Sequence, residues 1–387
     1  MKLVGNYNLN IRFGDADTLI TPQMIQELTI TQDIERLLPT FKLSLADASK
    51  ILAEVIPYDK NANTVSIDLA RDSNSLEINE FTFEVKRRTA VSPEDSYTIE
   101  GILKVPQLLD YERNKYFDGD IKTNLQSIAS NLGISKTEIG SSLSYEKSFL
   151  QPKWTDAQLL NYLKQELIGK NKESGYYCYI VNILAEPILV FKSLNELIIN
   201  PIRYNFLVGP KPHKDFFPIS EYRIFDDSQL LTDFGRESKY SYFDYSSGSY
   251  IAGSIDAEDC PVLSEFLSLD KDRENSRTSI ETGRSNSFTD FEGRFRNSFF
   301  NRINNNTHMW AATWGLENIS PGDVVLVVFS EAFQRGNLFV YQHSGLWLVK
   351  RVVHIVGSTF FTNLLLVRAG IDSDIENSLI ESVNRRK

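Results

Sequence analysis

The chain has 387 residues, of which 42% are hydrophobic and 24% are charged, and its formal net charge is −10. A chain of this length can bury a sizeable core and divide into about two to four domains. The acidic excess argues against a broad nucleic-acid-binding surface, because neutralising phosphates needs clustered Lys and Arg.

The sequence also predicts neither a membrane span nor a redox site. The longest apolar run, Val324 to Phe329, is far shorter than the roughly 20 residues that cross a bilayer. Residues 1–8 lack the apolar stretch of a signal peptide. We therefore expect no membrane span, and synthesis in the cytoplasm. Cys178 and Cys260 lie far apart in the sequence and predict two inert thiols rather than a metal or redox site.

The first hundred residues predict a series of short strands. Apolar and polar residues alternate, and turn-rich segments separate the runs. The predicted strands are 24–31, 40–47, 64–69, 81–85 and 97–103. Short strands at this spacing indicate a barrel or a sandwich.

Around residue 120 the apolar period becomes helical. The residues at helical spacing are Ile121, Leu125, Ile128 and Leu132 in a first helix, and Leu159, Leu160, Leu163 and Leu167 in a second. Gly133 predicts the end of the first helix, and Thr155 or Asp156 can cap the second. Trp154 is expected to anchor that helix as a hydrophobic staple rather than to stack on a sugar. With a hairpin over 176–191, residues 116–200 predict a mixed α/β insert.

Strands are predicted again from 202 to about 265, with an interruption at the aromatic, serine-rich segment 240–248. The polar, charged stretch 270–287 predicts a mobile loop. Beyond it, an apolar residue recurs every four positions, at Phe291, Phe295, Phe299 and Ile303. This stripe favours a buried helix over stacking of Arg294-Phe295-Arg296 on nucleic acid.

The C-terminal part predicts further strands. An extended segment at 309–314 precedes a tight turn at 320–323 and the strand 324–329, and a β-hairpin spans 345–367. His354 lies at the end of the first hairpin strand. We interpret it as a structural histidine bonded within the fold rather than a catalytic one.

Motifs that would carry chemistry are missing. The sequence has no Walker glycine loop, no His-Glu-x-x-His and no Gly-x-Ser-x-Gly. No pair among the four histidines has ligand spacing, although His343 and His354 could meet across folded strands; the others are His213 and His308. We therefore predict no catalytic, cofactor-binding or metal-binding residues.

Acidic pairs are the remaining source of possible activity, since a glycosidase needs only two carboxylates. The pairs are Asp15 with Asp17, Glu94 with Asp95, Asp226 with Asp227, and Glu258 with Asp259. Each lies among turn residues, where Asp is common because its side chain bonds nearby backbone. Turn formation is the favoured interpretation for all four.

Three stretches, taken in order, carry a family pattern. The first ends in Phe-x-Leu-x-Leu-x-Asp, from Phe41 to Asp47. The second combines 124–134 with 154–163 and the hairpin that ends at Phe191. The third joins the Pro321-Gly322 turn to a Val-x-x-Val-x-His strand ending at His354. Together they resemble the central baseplate hub proteins of contractile-tailed bacteriophages, which are related to the hub portion of the type VI secretion spike.

The resemblance implies a mainly β fold in which two tube-like β-barrels flank a mixed α/β domain. The implied boundaries are 1–115 for the first barrel, completed by about 201–240; 116–200 for the insert; 241–300 for an extended and helical connection; 301–372 for the second barrel; and 373–387 for a tail. Neither the 266–288 segment nor the tail has a counterpart in the pattern. The implied structural framework residues are Phe41, Asp47, Trp154, Pro321, Gly322, Trp347 and His354.

The resemblance also implies a mechanical function in a phage virion. Hub proteins of this kind form homotrimers that adapt a six-fold tail tube to a three-fold central spike, inside a ring of other baseplate proteins. They use no cofactor. DNA passes through the lumen without specific binding, and an acidic wall would fit that passage.

Two other classes of protein remain open. A cell-wall hydrolase of a tail tip would use one of the acidic pairs for acid–base chemistry. A carbohydrate-binding β-sandwich protein would use the aromatic residues from Tyr240 to Tyr250, with Tyr242 and Tyr245 as the residues to test.

Overall fold

The structure is a computed structural model of the chain. It describes residues 7–14, 20, 22–46, 63–70, 78–91, 96–105, 107, 111–183, 186–209, 215–226, 237–256, 279–285, 291–330 and 343–369.

Strands dominate the described residues, and helices lie mainly in the central part of the chain. The strands are β1 (Asn8–Phe13), β2 (Ile25–Asp33), β3 (Thr40–Ala46), β4 (Thr64–Ala70), β5 (Asn79–Val91), β6 (Ser96–Leu103), β7 (Arg113–Phe117), β8 (Lys136–Ile139), β9 (Phe149–Trp154), β10 (Tyr177–Ile183), β11 (Glu186–Lys192), β12 (Ile202–Val208), β13 (Phe217–Asp226), β14 (Glu237–Asp244), β15 (Ser249–Asp256), β16 (Ser279–Ser285), β17 (Thr307–Trp314), β18 (Val324–Phe329), β19 (Gly345–Val356) and β20 (Phe360–Arg368). The α-helices are α1 (Ile121–Asn131), α2 (Asp156–Glu166), α3 (Leu194–Ile198) and α4 (Phe291–Asn304). The prediction of a mainly β fold is confirmed.

Twelve strands form one continuous sheet, in the order β1-β4-β5-β6-β3-β2-β19-β18-β12-β13-β17-β20. Because β20 also pairs with β19, the last six strands close into a barrel, which we call the second barrel. The first six form the other half of the sheet around an apolar core of their own, and we call this half the first barrel. No strand pairing between β1 and β2 occurs among the described residues, although the Ile20 N–H donates to the Ile11 carbonyl at 3.3 Å. The two barrels meet where β2 pairs with β19.

The prediction that residues 201–240 complete the first barrel is wrong. Strand β12 pairs in parallel with β18, and β13 pairs with β17, so both belong to the second barrel. The physical reason lies in β18, whose residues are almost all buried and which therefore needs a strand on each side. Antiparallel β19 covers one edge and β12 covers the other.

Side chains fill the interior of each barrel. In the first barrel every strand alternates, with its apolar residues inside. Representative buried residues are Ile11, Leu28, Leu43, Ile67, Phe83 and Ile99. The second barrel has its own apolar interior, which includes Phe206, Met309, Val327, Trp347, Val349 and Leu366.

The insert joins the two barrels through β10. Cys178 and Ile180 point into the core that the insert helices share with the first barrel. Tyr177 and Tyr179 point into another core, between the insert, α4 and the outside of the second barrel. Burial raises the pKa of the Cys178 thiol to about 12, so it is inert, as predicted. Cys260 lies outside the described residues.

The insert helices form as their sequences predict. Asp120 caps α1 by accepting from the Thr123 N–H at 2.9 Å, and Gly133 follows its end with φ +81°. Thr155 caps α2 in a capping box with Gln158. We missed α3, which begins with a second capping box.

Residues 241–300 hold more regular structure than the predicted connection. Strand β14 pairs with β15 on one edge and in parallel with β16 on the other. The prediction of a mobile loop over 270–287 is therefore wrong for 279–285, which form strand β16. The remainder of that segment, and the tail from 370, lie outside the described residues.

Candidate assembly surfaces

His354 is enclosed inside the second barrel. Its Nδ1 lies 3.2 Å from the hydroxyl of Thr362, and its ring meets Phe360 edge to face. The Thr362 hydroxyl accepts from the Leu316 N–H at 2.9 Å, so its own hydrogen is free to point at Nδ1. Burial lowers the pKa of His354 to about 4. The imidazole is therefore neutral near pH 7.

The Pro321-Gly322 turn packs against the insert. Gly322 has φ +87°, and a Cβ at this position would collide with the Tyr179 hydroxyl. The Gly322 N–H donates to the Val349 carbonyl at 2.8 Å. The Ser320 N–H donates to the Asp323 carboxylate at 2.8 Å, and desolvation raises the pKa of Asp323 to about 6.

The other framework residues lie in different parts of the fold. Phe41 is inside the first barrel, 4.7 Å from Phe83. Trp347 is inside the second barrel, and its indole N–H donates to the His343 carbonyl at 3.0 Å. Trp154 contacts Tyr162, two turns into α2, which is further along than a staple normally reaches. Asp47 lies outside the described residues. The structure therefore brings no common site together from this set, and their framework role stays a prediction.

The residues considered for chemistry do not form a centre among the described part of the chain. Three acidic pairs, Asp15 with Asp17, Glu94 with Asp95, and Glu258 with Asp259, lie outside it, as does Asp227. Where residues are described, no group of three His, Cys, Asp or Glu side chains could hold a metal ion. Nor is any described helix long and apolar enough to cross a membrane.

In the Arg294-Phe295-Arg296 segment, Phe295 faces the core, as the helical stripe predicts, and Arg294 is exposed. Phe295 is buried and packs on Tyr240. Arg296 is also buried, and its guanidinium donates to the Ser174 hydroxyl at 3.1 Å. Arg294 pairs with Glu166 of α2. These side chains hold α4 to the insert instead of facing nucleic acid.

The junction between the barrels carries a charged cluster that sequence reasoning missed. Arg351 lies opposite Asp33 across the β2–β19 pairing, with Nε and Oδ2 2.6 Å apart and Asp33 buried. Lys350 Nζ lies 2.8 Å from the Glu35 carboxylate and 3.0 Å from the Asn305 amide oxygen. Because these residues are distant in sequence, only the strand pairing brings them together.

Large apolar side chains lie on the outside of the second barrel where β17, β20 and β19 pair in the antiparallel sense. Trp314 stacks on Phe361 at 4.8 Å, and Ile355 is the next residue across the sheet. Two rows further on the same face, beyond the pair of Ala312 and Asn363, Trp310 is 36% exposed beside Leu365. An apolar outer face of this kind is typical of a surface that is covered in an assembly.

A groove runs over the outside of the first barrel. It has a volume of about 350 Å³ and crosses β2, β3, β5 and β6. The residues that line it include Thr29, Lys42, Lys86, Arg87 and Glu100. We call it the first-barrel groove. Arg87 lies 3.9 Å from Glu100, and its side chain is 72% exposed.

The β14–β15 hairpin ends in a cluster of aromatic rings, which we call the aromatic tip. Phe243 meets Tyr245 and Tyr250 edge to face, with centroid distances of 5.2 and 5.0 Å. Tyr250 is 82% exposed and Tyr245 55%. The Asp244 carboxylate accepts hydrogen bonds from Ser247 and Ser246, and these bonds lower the pKa of Asp244.

Comparison with solved structures identifies the fold. A tail protein from Neisseria meningitidis superposes with a TM-score of 0.61 at 10% identity, over 95% of this chain and 98% of that chain. The 43 kDa tail protein of prophage MuSo2 from Shewanella oneidensis gives 0.60 at 11% identity, over 94% and 99%. An Escherichia coli component of the type VI secretion system, described as similar to T4 bacteriophage tail proteins, gives 0.54 at 7% identity, over 92% and 76%.

No protein-family model and no curated protein matches the sequence. The three superpositions confirm the resemblance to phage hub proteins at the level of the fold. The chain has a fold that phage tail proteins and a type VI secretion component share.

Proposed function

We propose that the chain is the structural hub of a phage tail baseplate. In this proposal three copies form a ring that adapts a six-fold tail tube to a three-fold central spike. The ring contacts the tube hexamer, the spike and the surrounding baseplate proteins. It is made in the host cytoplasm, belongs to the virion and has no enzymatic activity.

The observation that carries the proposal is the near-complete superposition on two phage tail proteins, combined with the joined barrels. Because one sheet holds two six-stranded units edge to edge, three copies can present six similar units to a hexameric tube. The apolar outer face around Trp310 and Trp314 also favours an assembled state over a free enzyme.

The barrel interiors bear on how DNA would pass. Buried side chains fill both interiors, so a channel has to run between the subunits. An acidic chain does not retain a polyanion, and the net charge of −10 suits passage without binding.

The test is the solution mass of the purified chain, measured by light scattering after size exclusion. We expect about three times the 44.2 kDa of one chain. Electron microscopy of the same fraction is expected to show a ring with six lobes. A chain that stays monomeric at high concentration, with the spike protein present, contradicts the proposal. If that monomer clears peptidoglycan, the hydrolase alternative takes its place.

A further inference from the structure

Two surfaces of this chain combine exposed aromatic rings on one side with a groove lined by basic side chains on the other. One is the protruding aromatic tip at Phe243–Tyr250, and the other is the first-barrel groove beside Lys42 and Arg87. We propose that the aromatic tip of one copy inserts into the first-barrel groove of a second copy. This contact rests on the proposed homotrimer, because it names the surfaces through which neighbouring copies bind.

The aromatic tip is built to present its rings to a partner. The opposite face of the hairpin is fixed to α4, where Tyr240 packs on Phe295 and Tyr242 packs on Phe291. The turn is held by the Asp244 carboxylate, which accepts from the backbone N–H of Ser246 at 3.0 Å. Exposed tyrosines on a fixed turn lose little conformational entropy on binding, and Tyr is enriched among residues that dominate interface energies.

The tip is largely exposed in the part of the chain that the structure describes. The rings of Tyr245 and Tyr250 each meet the Phe243 ring, and both keep more than half of their surface exposed. Large aromatic side chains that are exposed together are typical of interaction sites. The exposure of Tyr250 therefore favours a binding role for the tip.

The first-barrel groove complements the tip in size and in charge. Its volume of about 350 Å³ falls within the range of about 300–1,000 Å³ that is typical of pockets for small organic groups. Lys42 and Arg87, which line the groove, can lie over aromatic faces, as cations do in cation–π contacts. They can also pair with Asp244, whose lowered pKa keeps its carboxylate charged.

A second copy is the occupant that the symmetry of the contact favours. The tip and the groove are different surfaces of one chain, so the contact is heterologous, and a heterologous contact forms a closed ring when its rotation closes. The net charge of −10 makes each incoming copy acidic, which suits a groove lined by three basic side chains and one acidic side chain, Glu100.

The experiment compares the solution masses of two double variants. Tyr245→Ser with Tyr250→Ser removes the tip, and Lys42→Glu with Arg87→Glu reverses the groove. All four side chains are exposed, so the variants are expected to fold. We expect each to raise the concentration at which half of the protein is assembled about tenfold or more. Matched controls are Tyr116→Ser and Lys104→Glu, which are exposed elsewhere and should assemble like the wild type.

Mixing the two variants makes the test directional. The groove-reversed copy still has a tip, and the tip-less copy still has a groove, so one contact can form. We expect the mixture to contain a species of twice the 44.2 kDa chain mass that neither variant gives alone.

Wild-type trimers together with variants that stay trimeric would overturn the contact and leave the hub proposal intact. Variants that lose assembly but give no dimer on mixing would overturn the tip-to-groove pairing. A wild-type monomer would overturn both.

Discussion

At the scale of single residues, His354 is a neutral imidazole buried inside the second barrel. Its ring has one described polar neighbour, the Thr362 hydroxyl at 3.2 Å, and apolar surroundings such as Phe360. Protonating the folded ring would place a charge where water cannot reach it, which is why its pKa falls to about 4. The residue therefore links folding to pH.

The first prediction concerns His354→Gln. Between pH 6.5 and pH 4 the unfolded chain binds a proton that the folded chain does not, so the free energy of unfolding falls as the pH falls through this window. The loss amounts to about 3 kcal/mol at its lower end. We expect the variant to be about 1 kcal/mol less stable at pH 7.5, through a poorer hydrogen bond, and no less stable than the wild type at pH 4.5.

Urea unfolding of both proteins at the two pH values measures this difference. Asp323, with its raised pKa of about 6, changes stability in the opposite direction over part of the window. Because both proteins carry Asp323, its contribution cancels in the comparison. Parallel stability curves for wild type and variant would contradict a depressed pKa at His354.

Gly322 gives a second prediction at this scale. In Gly322→Ala the backbone would have to keep a φ of +87°, which is unfavourable for alanine. The new Cβ would also collide with the Tyr179 hydroxyl. We expect a loss of about 2–4 kcal/mol in the free energy of unfolding, from backbone strain and overpacking together. Tyr179→Phe in the same chain removes the colliding oxygen and should recover part of the loss. If the double variant is no better than Gly322→Ala, the strain belongs to the backbone alone.

At the scale of elements, Asn297 makes four of the hydrogen bonds that fix α4 to the insert. The Asn297 amide oxygen accepts from the N–H groups of Gly175 and Tyr176, at 2.7 and 3.2 Å. Its amide nitrogen donates to the carbonyls of Gln165 and Leu167, at 2.8 and 2.9 Å. The side chain is buried, so all four backbone groups depend on it.

Asn297→Ala should therefore cost more than the loss of a surface hydrogen bond. Because buried backbone groups would be left unsatisfied, we expect the free energy of unfolding to fall by about 3 kcal/mol. Ser298→Ala, at the next and exposed position of α4, is the matched control and should change it by less than about 0.5 kcal/mol. Similar values for the two variants in denaturant titrations would show that α4 is not held through Asn297.

Local elements could be predicted because their signals are local. The helical period of α1 and α2 and the alternation of β3 and β6 are visible within a dozen residues. The capping box at Ser193 and Glu196 would have revealed α3 in the same way. Strand β8, with the sequence Lys-Thr-Glu-Ile, has no strong apolar face and forms because β11 offers it an edge.

Pairing between distant strands could not be predicted, and the candidate surfaces depend on it. Strands β12 and β18 pair although their residues are more than a hundred positions apart, and neither sequence contains a signal that identifies the other as its partner. The first-barrel groove likewise combines Lys42 with Arg87, whose proximity depends on the order β5-β6-β3. The aromatic residues of the tip could be picked out because they lie within eight positions of one another in the sequence.

At the scale of the whole molecule, the β2–β19 pairing decides whether the two barrels behave as one unit. Asp33 is buried at this junction, where it binds Arg351 at 2.6 Å and also accepts from the Glu35 N–H at 2.9 Å. The insert reinforces the junction, since the Ile180 N–H donates to the Leu37 carbonyl at 2.8 Å.

The last prediction is that Asp33→Ala uncouples the barrels. Removing one partner of a buried ion pair leaves the other without compensation, so we expect a loss of about 3 kcal/mol in the free energy of unfolding. Calorimetry should show the single wild-type transition split into two, as the barrels unfold separately.

The matched control is Asp68→Ala, which removes a second cross-strand Arg–Asp pair, with Arg12, on the outside of the first barrel. Because that pair is more exposed, its loss should cost less than about 1 kcal/mol and leave one transition. A single transition for Asp33→Ala as well would mean that the insert, rather than the strand pairing, joins the two barrels.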